Sequence, residues 1–414
     1  MSKTVIYGNI IDGTGRDLLE NGMVVVDGDV LEYVGRREEK YLLPPDAMIL
    51  HYENAYIMPG LIEAHSHTCG FGSHNPLEWI VMPLPLKIIQ SVHDLQALLN
   101  AGYTTVRCCG GYGSYHRRAM EKGMFRGPRL YTAMAAISPT AGHADVWTDL
   151  TSDMQYELEG IGAHARADGV DECRKMARIQ FRNGADFIKI QTTGGIMDTA
   201  SNPGLSYFTH DEIAAFVEEA ERMGTYVATH AESDAGVYNA VMAGVKSIEH
   251  GWQTTDRTLE EMIKRGCWQV PTLTTIALQS EDIGNAPPVV AEKVRRLIPK
   301  VQESVARARK AGIPMACGAD FLSMKGNDEY GGKNCRELLE FTKVGFTPME
   351  AIVCATKNGA MTVQREKDLG TLEAGKIADL IVVTENPLDN IASLMNTDNT
   401  KIVMKDGIIE KHIS

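Results

Sequence analysis

No apolar run in these 414 residues reaches the roughly 18 that would suggest a bilayer span, so a membrane protein is not expected. The start of the chain, Met1-Ser-Lys-Thr-Val-Ile-Tyr, passes straight into a strand-like pattern with no apolar leader core, and a cytoplasmic location is the expectation. Basic residues are in deficit. The 41 Lys and Arg against 54 Asp and Glu give a formal charge of −13, which argues against a nucleic-acid groove. The cysteines at 69, 108, 109, 173, 267, 317, 335 and 354 include no C-x-x-C. Reduced thiols suit that spacing better than a disulfide framework or a structural zinc site, and adjacent Cys108 and Cys109 read as small buried hydrophobes. What remains is an ordinary globular composition, 44% apolar and 23% charged, in a chain longer than one usual core.

Residues 1–57 carry short alternating runs (4–7, 23–26, 31–34, 48–51) separated by Gly, Asp and Asn turns, which predicts a small antiparallel β module. From residue 58 apolar runs alternate with helical stretches. The expected strands are 61–65, 104–108, 129–133, 187–191, 226–230, 247–249, 268–271 and 315–318. Helices are expected over 93–101, 171–183, 210–223, 258–265, 288–311 and 334–344. Eight strands separated by helices, with no G-x-G-x-x-G after the first, fit an α/β fold of the (β/α)8 TIM-barrel type over 58–360 better than an open dinucleotide-binding sheet. Residues 361–414 turn to β again (381–383, 402–404, 408–409) with a Lys405-Asp406-Gly407 turn. Both chain ends are thus expected to build one β-sandwich beside the barrel. The long segments 68–90, 137–169, 192–209 and 321–333 fall after strands, on the side where such barrels keep their active sites.

The stretch Met58-Pro-Gly-Leu-Ile-Glu-Ala-His-Ser-His is a buried strand pattern ending in His-x-His. Alternate strand side chains share a face, so His65 and His67 converge and could ligate a metal; in a chain of 12 histidines chance spacing is the competing reading. Four more residues fall at predicted strand ends. Lys189 lies in an apolar strand where its charge is costly without a task, and His230, His250 and Asp320 end or follow later strands. Each alone fits a satisfied core or rim residue. Six together on one ring of strand ends do not.

These segments resemble the amidohydrolase superfamily. The first motif looks like its metal motif, Gly184-Ala-Asp-Phe-Ile-Lys-Ile like its carboxylated-lysine strand, and the tail 369–383 like its return into a β-sandwich. Residues 183–195, Gly142-His-Ala-Asp145 and the segment from His230 to His250 resemble the prolidase-like branch of Xaa-Pro and Xaa-Arg/Lys dipeptidases and ochratoxin-type amidases. The resemblance implies two divalent ions, with zinc the expected metal. His65, His67 and Asp320 would hold the inner ion, His230 and His250 the outer one, and a CO2-derived carbamate on Lys189 would bridge them. It also implies hydrolysis of a small amide or dipeptide by a homo-oligomer, with Asp320 as proton shuttle; His143 is the candidate for polarising the carbonyl or stabilising the oxyanion, a loop histidine packing the rim being the competing reading. A cyclic amidohydrolase or deaminase of imidazolonepropionase type is the alternative, and a catalytically silent binding homologue the alternative from another class. Tyr112, Tyr207, Trp79 and Trp147 could line a pocket or simply pack. His51, His74, His93, His116, His164, His210 and His412 are expected as non-ligands. Two departures from the branch stand out. Cys108 follows Arg107 where an Asp is common. Glu232 stands two after His230, where it could meet a basic substrate group or bond to the backbone.

Overall fold

The computed structural model describes residues 3–37, 43–70, 81–143, 145, 164–196, 201–284, 286–320 and 331–413. The strands in the N-terminal part are β1 (Thr4–Ile10), β2 (Leu19–Asp27), β3 (Val30–Arg36) and β4 (Met48–Pro59). The middle holds β5 (Leu61–Ser66), β6 (Tyr103–Cys108), β7 (Arg129–Thr132), β8 (Ala136–Ser138), β9 (His164–Arg166), β10 (Ile188–Gln191), β11 (Val227–Ser233), β12 (Ser247–Gln253) and β13 (Trp268–Val270). The chain ends in β14 (Leu380–Val383), β15 (Thr400–Lys405) and β16 (Ile408–His412).

The two chain ends meet in one seven-stranded sheet, ordered β16-β15-β14-β4-β1-β2-β3. The N-terminal module is therefore mixed rather than antiparallel: β1 pairs antiparallel with β2 but parallel with β4. The β2–β3 hairpin occupies one side of β1 and β3 runs in the same direction as β1. Strand β4 starts beside Thr4 and runs parallel to β1 instead of reversing. The expected sandwich is this single sheet curled on itself, with its β3 edge tied to 375–378 through Leu31 N to Lys376 O at 2.8 Å and Ala378 N to Asp29 O at 2.8 Å. Its alternating apolar residues (Ile6, Val24, Val26, Ile57, Leu380, Val382, Ile402) enclose their own core. Asp406 and Gly407 both have positive φ, 52° and 71°, the geometry a tight two-residue hairpin demands.

Between the ends, strands pair in parallel in two sets, β5-β6-β7 and β13-β12-β11-β10-β8-β9. Asp186 N bonds Thr132 O at 2.7 Å across one seam. At the other seam Met315 bridges Gln269, and Cys317 O accepts from Ala64 N at 3.0 Å. The expected strand at 315–318 is present as these bonds rather than as a regular strand. Helices cover the outer faces. The one at His210–Arg222 opens on a capping box in which Thr209 and Glu212 satisfy each other's backbone N–H. Ile188 and Ile190 pack outward against these helices, while Ala64, Cys109, Ala133, Phe187, Ala228, Val270 and Ala316 form a separate inner cluster. Strand alternation thus sends Lys189, two residues after Phe187, to the inner side.

Candidate metal centre

The inner faces end in polar groups at one end of the strands. All six residues of β5 are buried, so His65 is held by a strand with no freedom to turn away, and His67 follows one alternation later. Their Nε2 atoms lie 3.6 and 3.3 Å from Asp320 Oδ1. The ligand atoms of this trio all fall within 4.8 Å of one another, a span one ion could bridge. From there an arc of rings runs on: His65 to His250 at 5.4 Å, His250 to His230 at 4.5 Å and His230 to His143 at 4.5 Å between centroids.

Backbone strain marks the same rim. His250, Thr272 and Asp320 have φ of 70°, 50° and 47°, a left-handed region that costs side-chain-bearing residues about 1–3 kcal/mol each and collects at functional sites. Thr272 Oγ1 lies 2.7 Å from His250 Nδ1. Asp320 is reached through Gly318, where a Cβ would sit 2.6 Å from His65 N; only glycine lets the two segments touch. Gly195 serves His143 likewise, since a Cβ there would meet the imidazole at 2.2 Å.

Electrostatics shape the donor set. Burial, reinforced by the Lys189 amine, lowers His65 to about 4 against the pull of Asp320 and Glu249. Burial and the neighbouring His250, His143 and Lys189 hold His230 well below the usual imidazole range, and burial, His65 and Lys189 do so for His250. Asp320 goes the other way: burial would raise it, but His65, His67 and Lys189 outweigh that and bring it down to about 2. Neutral imidazoles with an ionised carboxylate are the protonation states a divalent ion requires. The exception is Lys189, buried with 1% exposed. As a cation it opposes every neighbouring positive charge, and converting its amine to an anionic carbamate would reverse that sign. The His65, His67 and Asp320 trio fits a divalent ion.

Several supports were not anticipated. Glu63 Oε1 accepts from His65 N at 3.1 Å and Ala319 N at 2.9 Å, while Oε2 accepts from Asn334 at 2.9 Å. One carboxyl thus joins both halves of the inner trio, and burial pushes it up to about 7 despite those donors. Glu249 sits beside His65, and Gln191 shares the inner face with Lys189, its Oε1 buried without a hydrogen-bond partner among the described residues. The costly-charge argument applied to Lys189 would also have flagged Glu63, Arg107 and Glu249. Burial, aided by charges on His67, His143 and Lys87, lowers His164 to about 3. Glu232 bonds to the backbone: its Oε1 accepts from Ile196 N at 3.1 Å and stands 3.5 Å from His230 Nε2. Cys108 meets Thr68 Oγ1 at 3.0 Å. Tyr207 accepts from Asn202 N at 2.9 Å and Tyr112 is buried against His116; both pack. Trp79, Trp147 and His74 lie outside the described residues.

Comparison with known proteins gives concordant matches. Residues 56–409 match the profile described as "Amidohydrolase family". Ochratoxinase of Aspergillus niger is 31% identical over 99% of this chain and 86% of its own. A prolidase structure complexed with N-methylphosphonate-L-proline is 30% identical with a TM-score of 0.91, covering 100% of both chains. Imidazolonepropionase of Streptococcus gordonii is 24% identical over 94% of this chain and 90% of its own. These neighbours imply a TIM-barrel fold, which the two hydrogen-bonded parallel sets fit.

Proposed function

Because the chain belongs to the amidohydrolase family, we propose that it is a cytoplasmic metal-dependent hydrolase of C–N amide bonds. Its substrates would be dipeptides or N-acyl amino acids, and the working form a homo-oligomer. The observation that carries this reading is the convergence of His65, His67, Asp320, His250 and His230 around the buried Lys189.

His65, His67 and Asp320 would hold one divalent ion, His230 and His250 a second, with a carbamate on Lys189 between them. Bound zinc would polarise the scissile carbonyl and lower the pKa of water to about 7. The chain's own groups do the rest. Asp320 stays ionised, so its carboxylate can take the proton of the attacking water and pass it to the leaving nitrogen. His143, its ring tilted 31° to that of His230 at 4.5 Å and lying against Gly195, would hydrogen-bond the carbonyl oxygen as charge develops there. The domains of this reading are a barrel over 58–360 and a β unit from 1–57 and 361–414.

The resemblance to imidazolonepropionase supports a second reading, a cyclic amidohydrolase; the inward placement of Lys189 favours the first. The deciding experiment is a hydrolysis screen over dipeptide and N-acyl-amino-acid libraries, with metal measured on the same sample grown with zinc and bicarbonate. About two ions per chain and turnover of one class are expected. One ion with full activity would revive the cyclic amidohydrolase, and a metal-free inert protein would make the chain a binding homologue.

A further inference from the structure

Arg107 on β6 is fully buried, 0% exposed, and a guanidinium so placed is destabilising without a partner. Its partner is Glu249, whose Oε1 and Oε2 accept from Nη2 at 2.7 and 2.6 Å. The other N–H groups are engaged too: Nε donates to Ala64 O at 2.5 Å, and Nη1 to Ser247 Oγ at 3.0 Å and Tyr226 Oη at 3.3 Å. Ser247 Oγ in turn donates to Glu249 Oε1 at 2.5 Å. The carboxylate therefore cannot rotate, and as an ionised group it only accepts. His65 Nδ1 stands 2.7 Å from its Oε2.

An acceptor at that position demands a proton on Nδ1, which leaves the imidazole lone pair on Nε2, the nitrogen that faces Asp320. The geometry points to Arg107 and Glu249 as a positioning pair that locks His65 in its Nδ1–H tautomer and aims Nε2 into the centre. The effect on metal affinity rests on the proposed role of His65 as a ligand; the tautomer does not. Partners of this kind behind a metal-binding histidine are worth about 10–100-fold in affinity or activity. A purely structural ion pair would leave the tautomer and the metal affinity alone.

Glu249→Gln discriminates the two. Arg107 would capture the new amide oxygen and turn the NH2 group toward His65 Nδ1, where it can only donate, so the ring is driven to the Nε2–H form. The test is long-range 1H–15N correlation on histidine-labelled, metal-free protein, with the His65 signal assigned by its loss in His65→Gln. Zinc affinity is measured in parallel by chelator competition. Expected are an Nδ1–H His65 in the unmutated protein and a roughly 10–100-fold weaker zinc site in Glu249→Gln, with Glu249→Asp intermediate. An Nε2–H His65 in the unmutated protein overturns the proposal, as does a Glu249→Gln zinc affinity within about twofold of it. Should Glu249→Gln fail to fold, the unmutated tautomer alone decides. If His65 is Nδ1–H but zinc does not bind, the proposed function fails while the positioning pair stands.

Discussion

The two corners of the centre are braced by different chemistry. Around His65, His67 and Asp320 the supports are buried acidic groups: Glu249 held by Arg107, and Glu63 gripping both β5 and Ala319. Around His250 and His230 the hydrogen-bond partners are neutral, the Thr272 hydroxyl at 2.7 Å and the Gly194 carbonyl at 3.0 Å, with the Glu232 carboxylate 3.5 Å from His230 Nε2. Hydrogen bonds to ionised groups are roughly twice as strong as those between neutral ones. The first corner is therefore a preorganised socket. In the proposed centre the second would be the softer of the two. Lys189 stands between them, its charge felt at His65, His250 and His230 alike.

The largest effect should come from removing what the corners share. Lys189→Ala should lose metal from both and forfeit several kcal/mol of charge stabilisation, on the order of 10³-fold in kcat/KM. Lys189→Arg keeps the cation but cannot form a carbamate and should be as damaging, while short carboxylic acids should partly rescue Lys189→Ala. An active Lys189→Arg enzyme would end the bridging role. Next comes the rigid corner: Asp320→Asn keeps an oxygen and the shape but not the base. Metal content should stay while kcat falls about 10²–10⁴-fold; near-full turnover would transfer attention to His143.

The soft corner should yield less. Thr272→Val removes the hydroxyl facing His250 at matched shape, a loss of about 1 kcal/mol. The expectation is zinc release from one site at lower chelator concentration and less than about tenfold in kcat. Release of both ions together would erase the difference between the corners.

The smallest effect concerns stability alone. Glu337 accepts from Leu273 N at 2.9 Å and Thr274 N at 2.7 Å, fixing the turn that carries Thr272. Burial pushes its carboxyl up to about 8 despite those bonds. A carboxyl raised above its unfolded value of about 4.3 binds more protons when folded, so its contribution is whole below that pH and fades as pH climbs through 8. Thermal unfolding of Glu337→Gln, followed across that window, should show a lower but flatter stability. An equally steep decline would place the pH sensitivity in another group.

The two corners were unequally legible in the sequence. His65, His67, Lys189, His230, His250 and Asp320 stood out because polar residues ending apolar runs are anomalies that need no partner to be noticed. Their supports showed only as equally costly charges in apolar strands, without a role: that of Glu249 appears only beside Arg107, which is 142 positions away, and that of Glu63 only beside Asn334. Local periodicity located most barrel strands within a few residues. It missed β8 and β9, whose three residues each are too short to show alternation. The segment at 315–318 read as a strand from its composition, but Gly318 presses its backbone against His65 instead of continuing a ladder. The parallel β1–β4 pairing was hidden for a different reason: strand direction depends on which edge remains free, and no single run encodes that.

The seven-stranded sheet has a consequence for how the chain is made. Strand β4 runs into β5 through Pro59 and Gly60, so the element that carries His65 is an extension of the sheet's central strand. On its other side β4 pairs with β14, beginning at Leu380 opposite Pro59. During synthesis that edge has no partner until more than three hundred further residues have emerged. Pairings so distant in sequence form late and slowly. Until then β4 offers an apolar, unpaired edge of the kind that recruits other chains. The C-terminal strands act as the latch on this interval, and shortening the chain before β14 should send a nascent protein with an otherwise intact metal centre into aggregates.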